Sequence, residues 1–269
     1  MACIDGLYSR LLQKSTEDQV IQLLKENERS PQSIRDRKAK NTIFEQILSA
    51  GLPPQELTAA RLSAESTILI GAGSETTAKT LDILTFHLLD QPQILQKLRS
   101  ELRSTNVSYK STLPQLESLP YLIAVMKEGL RCANGITTRS ARVTREPLRY
   151  RDWIIPVNTA VSMTIIDVLT DPSIFPDPDR FQPERWLGTD GKRLDKFLIP
   201  FNKGPRQCIG MELAKAEILA CVAMVFSQFE MELIDTEYLR DVKSKRDHFI
   251  PKPGPNSKGI RVRILRKTE

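Results

Sequence analysis

The chain has 269 residues, 40% of them hydrophobic and 27% charged, an ordinary globular composition with apolar material for one large core or two domains. No apolar run approaches the roughly 20 residues a membrane-spanning helix needs, and Met1-Ala2-Cys3-Ile4-Asp5-Gly6 lacks a basic segment leading into an apolar one, so neither an anchor nor a signal peptide is expected. The net charge of +6 includes Lys243, Lys245, Arg246, Lys252 and Lys258; with no interleaved aromatics or nucleic-acid module this argues against a nucleic-acid partner, and fits a solvated face or a docking surface for an acidic protein.

Residues 1–30 read as one or two charged amphipathic helices, with Leu11, Leu12, Val20, Ile21, Leu23 and Leu24 on the apolar side and a break at Ser30-Pro31. A helix is expected over 33–50, stopped by Gly51. The longest helical pattern runs from Gln55 to Leu89 with no proline until Pro92; as one helix it would span about 50 Å. Its middle, Ile70-Gly71-Ala72-Gly73-Ser74-Glu75-Thr76-Thr77-Ala78, holds two glycines and three hydroxyl residues, which weaken the ladder and predict a local opening at a functional segment.

Helices over 90–103 and 121–131 follow, separated by a polar loop at 104–113. After Asn134-Gly135 the pattern turns extended, with strands expected at 139–143, 148–155 and 159–165. The proline- and aromatic-rich stretch 171–187 reads as an ordered loop. The loop from Phe201 to Gly210, a helix to about Ser227, and closing strands at 229–234 and 260–265 complete the chain. The fold class expected is mainly α with small β-sheets, an α+β arrangement.

Four cysteines, Cys3, Cys132, Cys208 and Cys221, show neither paired nor CxxC spacing, which fits a reducing compartment better than a disulfide framework or a zinc site. Two histidines, His87 and His248, are too few for a multi-histidine metal site; His87, among Phe86, Leu88 and Leu89, reads as a packed helix residue. Cys208 is different. It sits in a glycine-containing loop at the mouth of an alanine-rich helix, with Arg206 two residues before it. The positive end of the helix dipole and the guanidinium suit a sulfur that binds a metal as its anion, and a sulfur ligand is a strong electron donor to haem iron.

Phe201, Gly204, Arg206, Cys208 and Gly210 together satisfy Phe-x-x-Gly-x-Arg-x-Cys-x-Gly, and this stretch resembles the haem-binding loop of the cytochrome P450 family. The resemblance extends to four further stretches. Ala72-Gly73-Ser74-Glu75-Thr76 is similar to the oxygen-activation segment, which implies a long helix crossing the distal face of the haem, with Ala72 and Gly73 allowing close approach and Glu75 and Thr76 delivering protons. Glu128-Gly129-Leu130-Arg131 matches Glu-x-x-Arg, and Arg185, in Pro183-Glu184-Arg185-Trp186, would complete a structural Glu-Arg-Arg cluster holding the cysteine loop. Trp186 stands where the family more often has an aromatic such as Phe. Arg142 lies where the family places a propionate-binding arginine, with Arg206 taking the other propionate. Ile154-Ile155-Pro156-Val157-Asn158-Thr159 resembles the Ile-Pro-x-Gly-Thr turn, with Asn158 in place of glycine, a residue that tolerates positive φ.

The resemblance covers about residues 40–266, looks most like fungal members, and implies the C-terminal portion of the cytochrome P450 fold, with 1–269 one truncated domain. It implies haem b, with the Cys208 thiolate as its iron ligand. It also implies dioxygen and a small apolar substrate of the kind found in secondary metabolism, an electron donor of the NADPH-cytochrome P450 reductase type, and association with the cytoplasmic side of the endoplasmic reticulum. The alternative is a fragment of such an enzyme that holds haem weakly or not at all and does not turn over.

Overall fold

The computed structural model describes residues 14–26 and 42–267. The chain divides into two compact units, Met1–Ser74 and Glu75–Glu269, with the division falling inside one helix. Expectations for 1–13 and 27–41, Cys3 included, lie outside the described residues.

Caps and prolines set the helix starts. In the first unit, residues 14–26 are helical (α1), and α2, Ile43–Ser49, opens on a reciprocal cap: the Glu45 amide donates to Thr42 Oγ1 at 3.2 Å and the Thr42 amide to Glu45 Oε2 at 2.8 Å. A 3₁₀ turn, Pro54–Leu57, then leads into the long helix α3, Ala59–Asp90. The expected helix over 55–89 thus starts later, because Pro53 and Pro54 favour a turn there. The expected opening at Ile70–Ala78 is absent: α3 is helical throughout its 32 residues, about 48 Å, and the Thr80 hydroxyl donates to the Thr76 carbonyl at 3.1 Å beside the ladder.

In the second unit, α4, Pro92–Ser104, and α6, Pro120–Cys132, both begin with proline at a first-turn position where no N–H is needed. α4 buries Ile94, Leu95, Leu98 and Leu102, one face at helical spacing. A short α5, Leu113–Glu117, joins them. Leu119 cannot cap α6, so Glu101 of α4 does: its carboxylate accepts the Tyr121 and Leu122 amides, each at 2.8 Å. The principal core forms where α4, α6 and the C-terminal part of α3 meet α9, Met211–Gln228, through Leu84, Leu98, Leu122, Val125, Ile218 and Phe226 among others. α3 and α6 touch closely. A Cβ on Gly129 would lie 2.4 Å from Leu84 Cδ2, so only glycine fits there. At the far end of α9, Arg99 donates to the carbonyls of Phe226 and Phe229 at 3.1 and 2.8 Å, closing the helix where β5 begins.

Among the described residues the strands form four two-stranded antiparallel sheets. β1, Arg142–Val143, pairs with β4, Ala160–Val161; β2, Leu148–Tyr150, with β3, Trp153–Ile155; β5, Phe229–Leu233, with β8, Val262–Lys267; and β6, Arg246–His248, with β7, Ile250–Lys252. The closing strands match expectation. The run 148–155 is not one strand but a hairpin, since Arg151 turns at φ +52 and pairs Tyr150 with Trp153. The expected strand 159–165 stops at Val161 and gives way to a short helix α7, Ile165–Leu169. The 171–187 stretch is turns and loop, ending in a 3₁₀ turn, Pro183–Trp186, before α8, Gly188–Leu194. Asn158 holds φ +62, the conformation expected of the residue replacing glycine. No helix of the described residues is long and apolar enough to cross a membrane.

Candidate functional site

The most densely hydrogen-bonded of the expected residues are on α6, outside the cysteine loop. Glu128 and Arg131, one turn apart on α6, are 0% and 1% exposed. Arg131 Nη2 and Nε donate to Glu128 Oε1 and Oε2 at 2.8 and 3.0 Å. Arg185 Nε reaches Oε1 at 3.1 Å, so the structure brings the three residues expected of the cluster together. A buried ion group is costly unless most of its remaining donors and acceptors are satisfied. Arg131 meets this with the carbonyls of Leu169, Pro178 and Arg180 at 3.1, 2.8 and 3.2 Å, and Arg185 Nη1 with that of Pro176 at 3.1 Å. Arg185 Nη2 is buried without a partner. The arginines therefore gather the irregular 169–186 segment onto α6.

Two contacts in this cluster have no counterpart in sequence reasoning. The Trp186 indole N–H donates to Glu128 Oε2 at 2.8 Å, and the Gln182 amide to Oε1 at 2.9 Å. Trp186 is thus more than a large aromatic in place of Phe: it supplies a donor Phe lacks. The signal was its two-ended chemistry, an apolar body with one N–H that needs a partner when buried. Cys132 adjoins the cluster as an acceptor from Arg131 Nη2 at 3.1 Å, and burial, aided by the Glu128 charge, pushes its thiol up to about 12.

The cysteine loop is tied down at its first residue. Phe201 packs against the principal core, and its carbonyl accepts the Cys208 amide at 2.9 Å. Just before it, Gly135 at φ +56 comes so close to Pro200 that a Cβ would lie 2.8 Å from the Pro200 carbonyl oxygen, which fixes the loop against the turn leaving α6. Between these ends the loop is open. Gly204 has φ +79 and nothing within 4 Å of a would-be Cβ, while at Gly210 the nearest atom is Cys208 Sγ at 3.9 Å. Cys208 and Arg206 are exposed, and α9 begins three residues after the thiol. Ile209 is 96% exposed and Leu213 60%. A bare thiol, an open glycine, a solvated guanidinium and uncovered aliphatic side chains form a surface that a flat, largely apolar macrocycle with acidic edges would fit.

The remaining expected residues are placed individually. Arg142 begins β1 and is exposed; its Nη1 donates to the carbonyls of Ser140 and Ala141 at 3.3 and 3.0 Å. Glu75 is exposed and Thr76 half-buried on α3, one residue (Ser74) beyond Ala72 and Gly73, both exposed. Of the C-terminal basic group, Lys258 is paired with Asp235 at 2.8 Å, and Lys243 lies 3.5 Å from Asp179. His87 is packed, as expected, stacked on Phe181 with centroids 4.7 Å apart.

The cytochrome P450 sequence profile matches residues 5–257. The chain belongs to the cytochrome P450 family. Fungal P450 relatives are similar over most of it. A cytochrome P450 monooxygenase of Sordaria araneosa is 40% identical over 94% of this chain and 52% of its own. A tryptophan 6-hydroxylase of Fusarium equiseti is 42% identical over 85% of this chain and 46% of its own. An N-acetyltryptophan 6-hydroxylase of Emericella nidulans is 39% identical over 84% of this chain and 45% of its own. The chain therefore spans about half the length of the curated P450 relatives it matches.

Proposed function

We propose that this chain carries the haem-binding and oxygen-activating part of a cytochrome P450 monooxygenase that inserts one oxygen atom of dioxygen into a small apolar substrate. The observation that carries this reading is the exposed Cys208 thiol, in an open loop anchored by Phe201 and Gly135 at the start of α9. Haem b, when bound, supplies dioxygen activation at an iron whose sulfur ligand donates electron density. Cys208 is the residue to hold that iron. Gly204 and Gly210 give the flat group room, and Arg206 and Arg142 offer planar forks for its two propionates. Arg142 must leave its present backbone partners to do so.

On α3, Ala72 and Gly73 present a helix surface with little side-chain bulk. The Glu75 carboxyl would take up a proton from water, and Thr76 Oγ1 would give up its own hydroxyl proton and regain one through a water between the two, since neighbouring side chains on a helix point apart. Glu128, Arg131 and Arg185 touch no substrate in this reading. They hold the 169–186 segment and so the setting of the cysteine loop. Electrons come from a reductase of the NADPH-cytochrome P450 reductase type, on the cytoplasmic side of the endoplasmic reticulum as in the wider family.

The test is the optical spectrum of purified chain 1–269 incubated with haem, reduced and exposed to carbon monoxide. The expected result is a strongly red-shifted Soret band that disappears in Cys208→Ala. A chain that takes up no haem, or a spectrum indifferent to Cys208, would overturn the reading and leave a fragment that carries the motifs without the activity.

A further inference from the structure

His87 packs as a core residue, yet one of its ring nitrogens has nothing to bond. The residue is 6% exposed, and its ring stacks on Phe181 with centroids 4.7 Å apart. The Gln91 side-chain amide nitrogen lies 3.5 Å from Nδ1. An NH2 group can only donate there, which leaves the ring proton on Nε2. Burial keeps the imidazole neutral, with its pKa lowered to about 4. The Nε2–H is thus a buried donor with no acceptor among the described residues, and such groups are rare because each forgoes a hydrogen bond it had in water.

Its neighbours do not seal this nitrogen in, as they do Arg185 Nη2. His87 lines a cavity of about 140 Å³ that also touches the end of α6, α7 and the turn Tyr238–Val242. That turn is wound as a π-helix, a form that often marks functional sites. Asp241 holds it in shape, its carboxylate accepting the Glu237 amide at 2.9 Å and the Lys258 amide at 2.7 Å.

The lining is of two kinds. Ile83, Ile166 and Val242 are aliphatic. The Asn134 carboxamide and the Tyr238 and Ser244 hydroxyls carry no hydrogen bond among the described residues. A cavity of about 150 Å³ lined by apolar side chains alone stays dry and admits benzene. This one has that size with an unused donor added, so the matching occupant is a single ring that carries an acceptor oxygen. Asp179 and Lys243, 3.5 Å apart and both open to solvent, mark the way in. None of Cys208, Arg206, Arg142, Glu75 and Thr76 lines this cavity.

We propose that the cavity is a second small-molecule site, separate from the cysteine loop, which takes a neutral ring of phenol size and holds its oxygen on the His87 Nε2–H. The site does not depend on the monooxygenase reading above.

The probes are phenol and benzene, added to the full chain without haem. Long-range proton–nitrogen spectra resolve the rings of His87 and His248, and His248→Gln identifies which is which. The His87 signals show the proton on Nε2; phenol shifts them saturably, while those of the exposed His248 stay. Benzene, which offers no oxygen, moves the Nε2 resonance far less. The ratio of phenol to benzene affinity, read from the dose dependence of the thermal midpoint, falls about fivefold or more in His87→Phe, where a ring stays and the donor is lost. A His87 signal that phenol leaves unmoved, or moves without saturating, means that water alone fills the cavity and overturns the proposal. An unchanged affinity ratio in His87→Phe overturns it too, by placing the phenol elsewhere. Should that variant fail to fold, the unmodified chain still decides, because equal shifts with the two probes overturn the hydrogen bond. Haem uptake enters neither measurement, so failure here and failure of the monooxygenase reading are told apart.

Discussion

At the scale of single residues, the Glu128 carboxylate decides most. Arg131, Arg185, Trp186 and the Gln182 amide all donate to it, and it is fully buried. Removing one member of such a group strands the others' charge, whereas exchanging a neutral donor costs a hydrogen bond. Glu128→Gln therefore lowers stability by about 3–5 kcal/mol. Trp186→Phe keeps most of the ring volume and loses one hydrogen bond to a charged acceptor, about 1.5–3 kcal/mol. Urea unfolding midpoints of the two variants check both values. A Trp186→Phe protein as stable as the unmodified one would show the indole N–H to be dispensable.

At the scale of elements, what matters is how closely α3 and α6 approach. Glycine at 129 brings α6 within contact of Leu84, and an added methyl group has no space. Gly129→Ala is expected to destabilise by about 1–3 kcal/mol. Leu84→Ala alone is destabilising too, by about 2–5 kcal/mol, because Leu84 is 0% exposed in the principal core. Combined, the two changes cost less than their sum, since the shortened side chain vacates the space that the new methyl needs. Strict additivity in a double-mutant cycle would mean that the helices do not meet there. Leu98→Ala on α4, also 0% exposed, sets the reference for an ordinary core cavity, about 2–5 kcal/mol.

At the scale of the molecule, pH reports on the core. Burial, the largest influence, moves His87 from 6.5 to about 4, and Arg131 adds to this while Glu128 opposes it. The folded chain thus keeps His87 neutral at pH values where the unfolded chain protonates it. The unfolded state binds more protons between about 6.5 and 4, so stability falls as pH drops through that window, by up to about 3 kcal/mol. In His87→Phe, which keeps an aromatic ring to stack on Phe181, that part of the pH dependence flattens. Thermal midpoints at pH 7.5 and 4.5 for the two proteins measure it. An equal drop in both would mean that His87 is not the group responsible. The exposed aspartates lose their own contributions at lower pH and leave this comparison intact.

The sequence by itself determined the family, the longer helices of the second unit and the order of the motifs. The reason is that these are local: proline at the start of α4 and α6, helical spacing of apolar residues in α4, and the fixed glycine, arginine and cysteine positions of the 201–210 loop are all written in neighbouring residues. It also anticipated that Asn158 would take the left-handed position of a missing glycine. Where it failed, the causes were not all long-range. The run 148–155 reads as one strand, yet a local turn at Arg151 folds it on itself. The glycines and hydroxyls of α3 do not open the helix. Only tertiary structure could give Trp186 its bond to Glu128, join Gly129 to Leu84, or pin Phe249 to Thr137 through Asp247, for each pairs residues tens to more than a hundred positions apart. Periodicity reports which face of an element is apolar; which side chain meets which is settled by close packing and by the need of every buried donor for an acceptor.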